Sequence, residues 1–152
     1  MSHSNTKRLS ILLGILIFMF GFLKFFQPFY GWFEIQIQKS GLPNEAILLG
    51  KLGEMAIGAL FLLPWLSRSV TERRKTQVLI VASLGLIVEM LVATYVHLRP
   101  EVPSDVLPLK IKPPFIPLFV LVLAVINALA VWNQRSKNRH SEMGVAAQGR
   151  VK

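Results

Sequence analysis

Few side chains in this sequence can do chemistry, and four of them sit where ionisable groups are rare. Lys24, Lys51, Glu54 and Glu89 each interrupt or end a stretch that is otherwise apolar. An ionisable group at the centre of a membrane-spanning helix costs roughly 2.5–3.5 kcal/mol on insertion scales, so such groups are seldom left unpaired. Lys51 and Glu54 lie three apart in Gly50-Lys51-Leu52-Gly53-Glu54-Met55-Ala56-Ile57-Gly58 and share one helical face. Gly50, Glu54 and Gly58 recur at i, i+4 and i+8, a small-residue stripe with a carboxylate in its middle. Glu89 has no basic residue within a turn of it, so either another helix supplies its partner or the carboxyl is protonated. His97 ends the same run about 80° round the helix from Glu89, where it is expected to cap a polar cluster. The other two histidines, His3 and His140, lie in the tails, so no metal site is expected.

Four apolar runs carry these groups: Leu9–Phe26, Ala46–Leu66, Val78–Val96 and Phe115–Trp132. Each is about 18–21 residues, the span of one transmembrane helix. Over the 152 residues, 53% are hydrophobic and 16% charged, which indicates one small membrane domain rather than a soluble one. The expected fold is all-α, a four-transmembrane-helix bundle, because backbone polar groups in hydrocarbon must be satisfied within the segment. The domain is expected over 1–132, with 133–152 a basic, disordered tail.

Between the first two runs, Phe29, Trp32, Phe33 and Ile37 fall at helical spacing, which suits a short helix lying in the outer interface. Ser40-Gly41-Leu42-Pro43 then turns the chain into the next helix. Ser67 to Gln77 reads as a short charged loop. The connection from His97 to Pro114 holds Pro100, Pro103, Pro108, Pro113 and Pro114 among apolar residues, and reads as a stiff lid on the bundle.

The formal charge of +9 sets orientation rather than marking a nucleic-acid site. Lys7, Arg8, Arg68, Arg73, Arg74, Lys75, Arg135, Lys137, Arg139, Arg150 and Lys152 fall on one side of the four spans. Only Lys39, Arg99, Lys110 and Lys112 fall on the other. The positive-inside rule then puts both termini in the cytoplasm. The first run has the basic flank of a signal peptide but no small-residue cleavage pattern after it, so it is expected to be retained. Cysteine is absent, which excludes thiolate nucleophiles, disulfide exchange and iron–sulfur ligation by this chain.

Depth arithmetic brings the charges together. At 1.5 Å per residue, Lys24 lies about 22 Å from the cytoplasmic boundary, Glu54 about 18 Å and Glu89 about 17 Å. A shared site of Lys24, Lys51, Glu54 and Glu89, capped by His97, is therefore expected. Two lysines would balance two carboxylates, an arrangement that suits a structural ion network as well as a binding site.

The same residues carry a family resemblance. Gly21-x-x-Lys24, Gly41-Leu42-Pro43, Gly53-Glu54 with Gly58, and the stretch from His97-Leu98 through Val106-Leu107-Pro108-Leu109-Lys110-Ile111-Lys112-Pro113-Pro114 resemble the DoxX-like family. The resemblance covers about Leu9 to Trp132 and matches the family's recurring lysine and glutamate with Lys24 and Glu54. It implies a four-helix integral protein of the bacterial inner membrane. Some members of that family are associated with quinone-linked or sulfur-oxidising redox complexes, others with assembly or folding of membrane proteins. The leading expectation is a non-catalytic subunit holding a small hydrophobic or quinone-like ligand, or a partner protein, at the polar cluster. Its partners would be the lipid bilayer and a membrane or redox protein, with no nucleic acid. Alternatives are a subunit of a quinone-linked oxidoreductase, a structural or assembly module, and, last, a small proton-coupled exporter using Glu89.

Overall fold

The structure is a computed structural model describing residues 3–66 and 70–148, with side chains described over 4–66 and 70–136. Five α-helices form: α1 (His3–Leu23), α2 (Phe29–Ser40), α3 (Glu45–Leu66), α4 (Glu72–Leu98) and α5 (Phe115–Gln148). No strand occurs among the described residues. Helices α1, α3, α4 and α5 each contain a segment long and apolar enough to cross a membrane: Ser4–Leu23, Glu45–Leu66, Glu72–Leu98 and Phe115–Ser136. Their outward faces carry Leu12, Ile15, Leu49, Leu63, Val88, Phe119 and Leu129, all exposed. Water would penalise so continuous an apolar surface, whereas hydrocarbon accepts it. Together these features describe a multi-pass membrane protein.

The four long helices form a ring in the order α3, α1, α5, α4. Close approaches fix their directions. A Cβ on Gly14 would lie 2.9 Å from Leu62, and one on Gly21 2.9 Å from Glu54 Cβ, so α1 and α3 run antiparallel. Gly53 faces Glu89 while Gly85 faces Ile57, which sets α4 antiparallel to α3. Leu13, Ile17, Phe61, Leu86 and Ala124 fill the centre of the ring.

Polar residues tie the ring at one end. Ser10 Oγ donates to Asn127 Oδ1 at 3.0 Å, and Asn127 Nδ2 donates to Ser83 Oγ at 3.1 Å. Ser83 Oγ in turn donates to the carbonyl of Leu79 at 2.8 Å. All three side chains are wholly buried, so α1, α4 and α5 are joined by bonds that no water competes for.

The other end is closed by α2 and the connection between α4 and α5. Val96, Val102, Val106 and Leu107 form a second apolar cluster, with Trp32 and Leu42 against it. Two single 3₁₀ turns, Ser104–Val106 and Pro108–Lys110, carry the connection. Gln36 Nε2 donates to the Val106 carbonyl, tying α2 to it. Gly41 ends α2 at φ 78°, a left-handed conformation that favours glycine.

Three expected boundaries differ. α4 begins at Glu72, inside the stretch read as a charged loop, with Thr76 Oγ1 on the Glu72 carbonyl and Lys75 paired to Glu72 at 2.8 Å. α5 runs to Gln148 instead of stopping at Trp132, so the segment expected as a disordered tail is helical as far as it is described. Neither stretch contains proline, and a helix leaving hydrocarbon continues until something stops it. α1 spans His3–Leu23 rather than Leu9–Phe26, which puts Lys24 in the turn beyond it.

Candidate functional site

At the end nearer α2, the glycines of α1 and α3 determine which charges meet. Gly21 brings α1 against Glu54 Cβ and the Met55 backbone, and α1 stops two residues later. Lys24 then reaches α3, where its Nζ lies 2.5 Å from Glu54 Oε1. Both side chains are largely buried, at 18% and 13% exposure, so the pair is shielded from the screening that weakens surface salt bridges. The same ammonium lies 3.9 Å from the centroid of Phe33. Phe33 can occupy that place because Gly50 has no side chain: a Cβ there would sit 2.8 Å from Phe33 Cζ. One lysine from the turn after α1 thus bridges a carboxylate on α3 and an aromatic face on α2.

Glu89 approaches from α4. A Cβ on Gly53 would lie 2.5 Å from Glu89 Oε1, so the carboxylate occupies the gap that this glycine leaves beside Glu54. Among the described residues, Glu54 Oε2 and Glu89 Oε2 are buried without a hydrogen-bond partner. Two carboxyl oxygens are therefore buried without a partner, beside a lysine already engaged by Glu54 Oε1.

Two members of the expected cluster lie elsewhere. Lys51 is 4% exposed, yet among the described residues it forms no ion pair with Glu54. Its ammonium sits 3.8 Å from the Tyr30 ring centroid and 5.5 Å from that of Phe25. Three helical residues turn it about 60° from Glu54 and lift it about 4.5 Å toward α2, where aromatic faces receive it. The expected pairing of two lysines with two carboxyl groups is thus reduced to one lysine, Lys24, paired with Glu54, with Glu89 beside it. His97 is also buried, but its Nδ1 meets the Lys112 carbonyl at 3.3 Å. Lys112 itself donates to the carbonyls of Arg99, at 2.5 Å, and Val102. Eight residues of α4 separate His97 from Glu89, about 12 Å along the axis, so the histidine belongs to the connection rather than the charge cluster.

Phe33 is the site residue that sequence reasoning missed. Its helical spacing was visible, but its contact with Lys24 depends on how α2 folds back over Gly50. Among the described residues no group of three His, Cys, Asp or Glu could hold a metal ion. Chemically, the arrangement offers two carboxyl groups and one ammonium in a largely desolvated place. It suits recognition of a polar atom on an otherwise apolar molecule.

Comparison with protein-family models, curated proteins and solved structures gives no match.

Proposed function

We propose that this chain is a DoxX-like protein of the bacterial inner membrane, a non-catalytic subunit that holds a small apolar, quinone-like ligand at the Lys24–Glu54–Glu89 cluster. The observation that carries the reading is the pair of buried, unpartnered carboxylate oxygens beside a fixed ammonium. A ligand hydroxyl would donate to those oxygens, and a ligand carbonyl would accept from Lys24, whose ammonium is held against Phe33. In this reading both termini face the cytoplasm, following the bias of basic residues. Helix α2 lies in the outer interface, and the proline-rich connection covers the site from outside.

The test is native mass spectrometry of gently extracted protein, with identification of whatever is released on unfolding. A stoichiometric quinone or other apolar molecule, lost in Lys24→Gln and Glu54→Gln, supports the reading. A folded protein that carries no such molecule, or carries it equally in both variants, overturns it. A second reading, a structural or assembly module, is favoured by the close α1–α3 contact at Gly21, which places the ion pair within a helix–helix interface. It requires retention of a partner chain instead of a small molecule.

A further inference from the structure

At the opposite end of the bundle, α1 and α3 leave an open apolar groove of about 240 Å³ lined by Phe18, Ala59, Leu62, Leu63 and Leu66. It is smaller than the roughly 300–1,000 Å³ of ordinary small-molecule sites and almost wholly apolar, a shape that suits a chain better than a ring system. Leu66 is the last residue of α3, so the groove opens at the end of the bundle that carries the basic side chains. There Trp65 receives two ammonium groups: Lys7 Nζ at 5.4 Å from its ring centroid and Lys75 Nζ at 6.0 Å. Lys7 is eleven residues before Phe18, three helical turns away on the same stripe of α1, so the stripe that lines the groove leads to that ammonium. Lys7 is exposed and, among the described residues, has no carboxylate partner; Lys75 shares its charge with an exposed Glu72.

We propose that this groove is a binding site for one anionic phospholipid, its acyl chain along Phe18, Ala59 and Leu62 and its phosphate against Lys7 and Lys75. Charge complementarity selects this occupant. A neutral lipid would fill the groove equally well but leave Lys7 without a counter-charge. A second copy of the chain would bring another basic end against this one. Trp65, one residue from the end of α3, gathers both ammoniums at the end of the bundle where the groove opens. Basic side chains near an anionic membrane surface each strengthen binding about fivefold. Glu54 lies twelve residues from Leu66, about 18 Å along α3, so this site is independent of the charge cluster.

The full chain would be placed in phosphatidylcholine nanodiscs doped with phosphatidylglycerol, released, and its retained lipids counted by native mass spectrometry. The wild type is expected to keep one phosphatidylglycerol in preference to phosphatidylcholine. Lys7→Gln and Lys75→Gln should each weaken that preference about fivefold. Ala59→Phe should abolish retention with both lysines intact, because it fills the groove. Arg135→Gln is the control: it removes a basic group at the same end that stacks on Trp132 instead. Equal weakening by Arg135→Gln, or undiminished retention in Ala59→Phe, would show only a diffuse basic surface and overturn the proposal. Lys7 is exposed, so the comparison of Lys7→Gln with Arg135→Gln decides the question even if Ala59→Phe fails to fold.

Discussion

Replacing Lys24 by Met and Glu54 by Gln together should cost clearly less than the sum of the two single replacements. At the observed 2.5 Å, two unit charges interact by about 6.6 kcal/mol at an effective dielectric constant of 20. Desolvation of both groups offsets much of this, so the net contribution of the pair is small. A single substitution removes the attraction but leaves the desolvation of the survivor. Glu54→Gln takes from the Lys24 ammonium, packed on Phe33, the carboxylate it contacts, while Lys24→Met leaves Glu54 beside Glu89 with no cation. Each should cost about 3–5 kcal/mol, the usual result of breaking a buried pair. The double variant should recover at least about 2 kcal/mol of the summed losses, within the range found for directly contacting residues. Reversible unfolding by dodecyl sulfate titration in mixed micelles measures all four corners of the cycle. Additivity to within about 0.5 kcal/mol would refute the reasoning, because two groups that truly meet cannot act independently.

Gly58→Ala should destabilise the bundle by about 1–3 kcal/mol. Its Cβ would lie 2.5 Å from the Phe18 backbone nitrogen and 2.7 Å from Phe18 Cα, so α1 itself must move. Gly85→Ala should be near neutral in the same titration, since its Cβ meets only the tip of Ile57 at 3.0 Å and gains about 1 kcal/mol of helix propensity. Asn127→Leu should cost about 1–2 kcal/mol by orphaning Ser10, and adding Ser10→Ala should return part of that loss. Lys112→Gln should speed amide hydrogen exchange in residues 99–111 and leave the centres of the four long helices unchanged, because its ammonium holds only the connection's own carbonyls. Loss of protection throughout the bundle would show that the connection clamps the helices rather than covering them.

The long helices were legible because hydrocarbon demands an unbroken apolar run of a fixed length, and that demand is written residue by residue. Their ends were not. At Glu72 and beyond Trp132 the chain turns polar while remaining a good helix former, so the edge of the apolar run is not the edge of the helix. Within the site, depth could be counted but azimuth could not. Lys24, Glu54 and Glu89 were placed at one level by arithmetic along three helices, and the close approaches at Gly21 and Gly53 bring them side by side. Lys51 had the right depth and the wrong direction. Its aromatic partners come from α2 and the turn before it, and no periodicity within α3 reports where those rings fold.

The two ends of the bundle solve the problem of buried polarity differently, and the contrast bears on what the charges are for. Ser10, Asn127 and Ser83 join three helices with neutral groups whose donors and acceptors close on one another. Helix–helix cohesion of this kind needs no ionised side chain, and interhelical hydrogen bonds of about 0.6–2 kcal/mol suffice for it. The other end uses a lysine and two glutamates instead, and leaves two carboxylate oxygens without donors. Apolar residues of equal volume would hold α1 to α3 as well or better, because buried ion pairs rarely outperform good packing. Stability therefore gives no reason for that constellation. A donor on the proposed ligand would complete the hydrogen bonding that the fold leaves open.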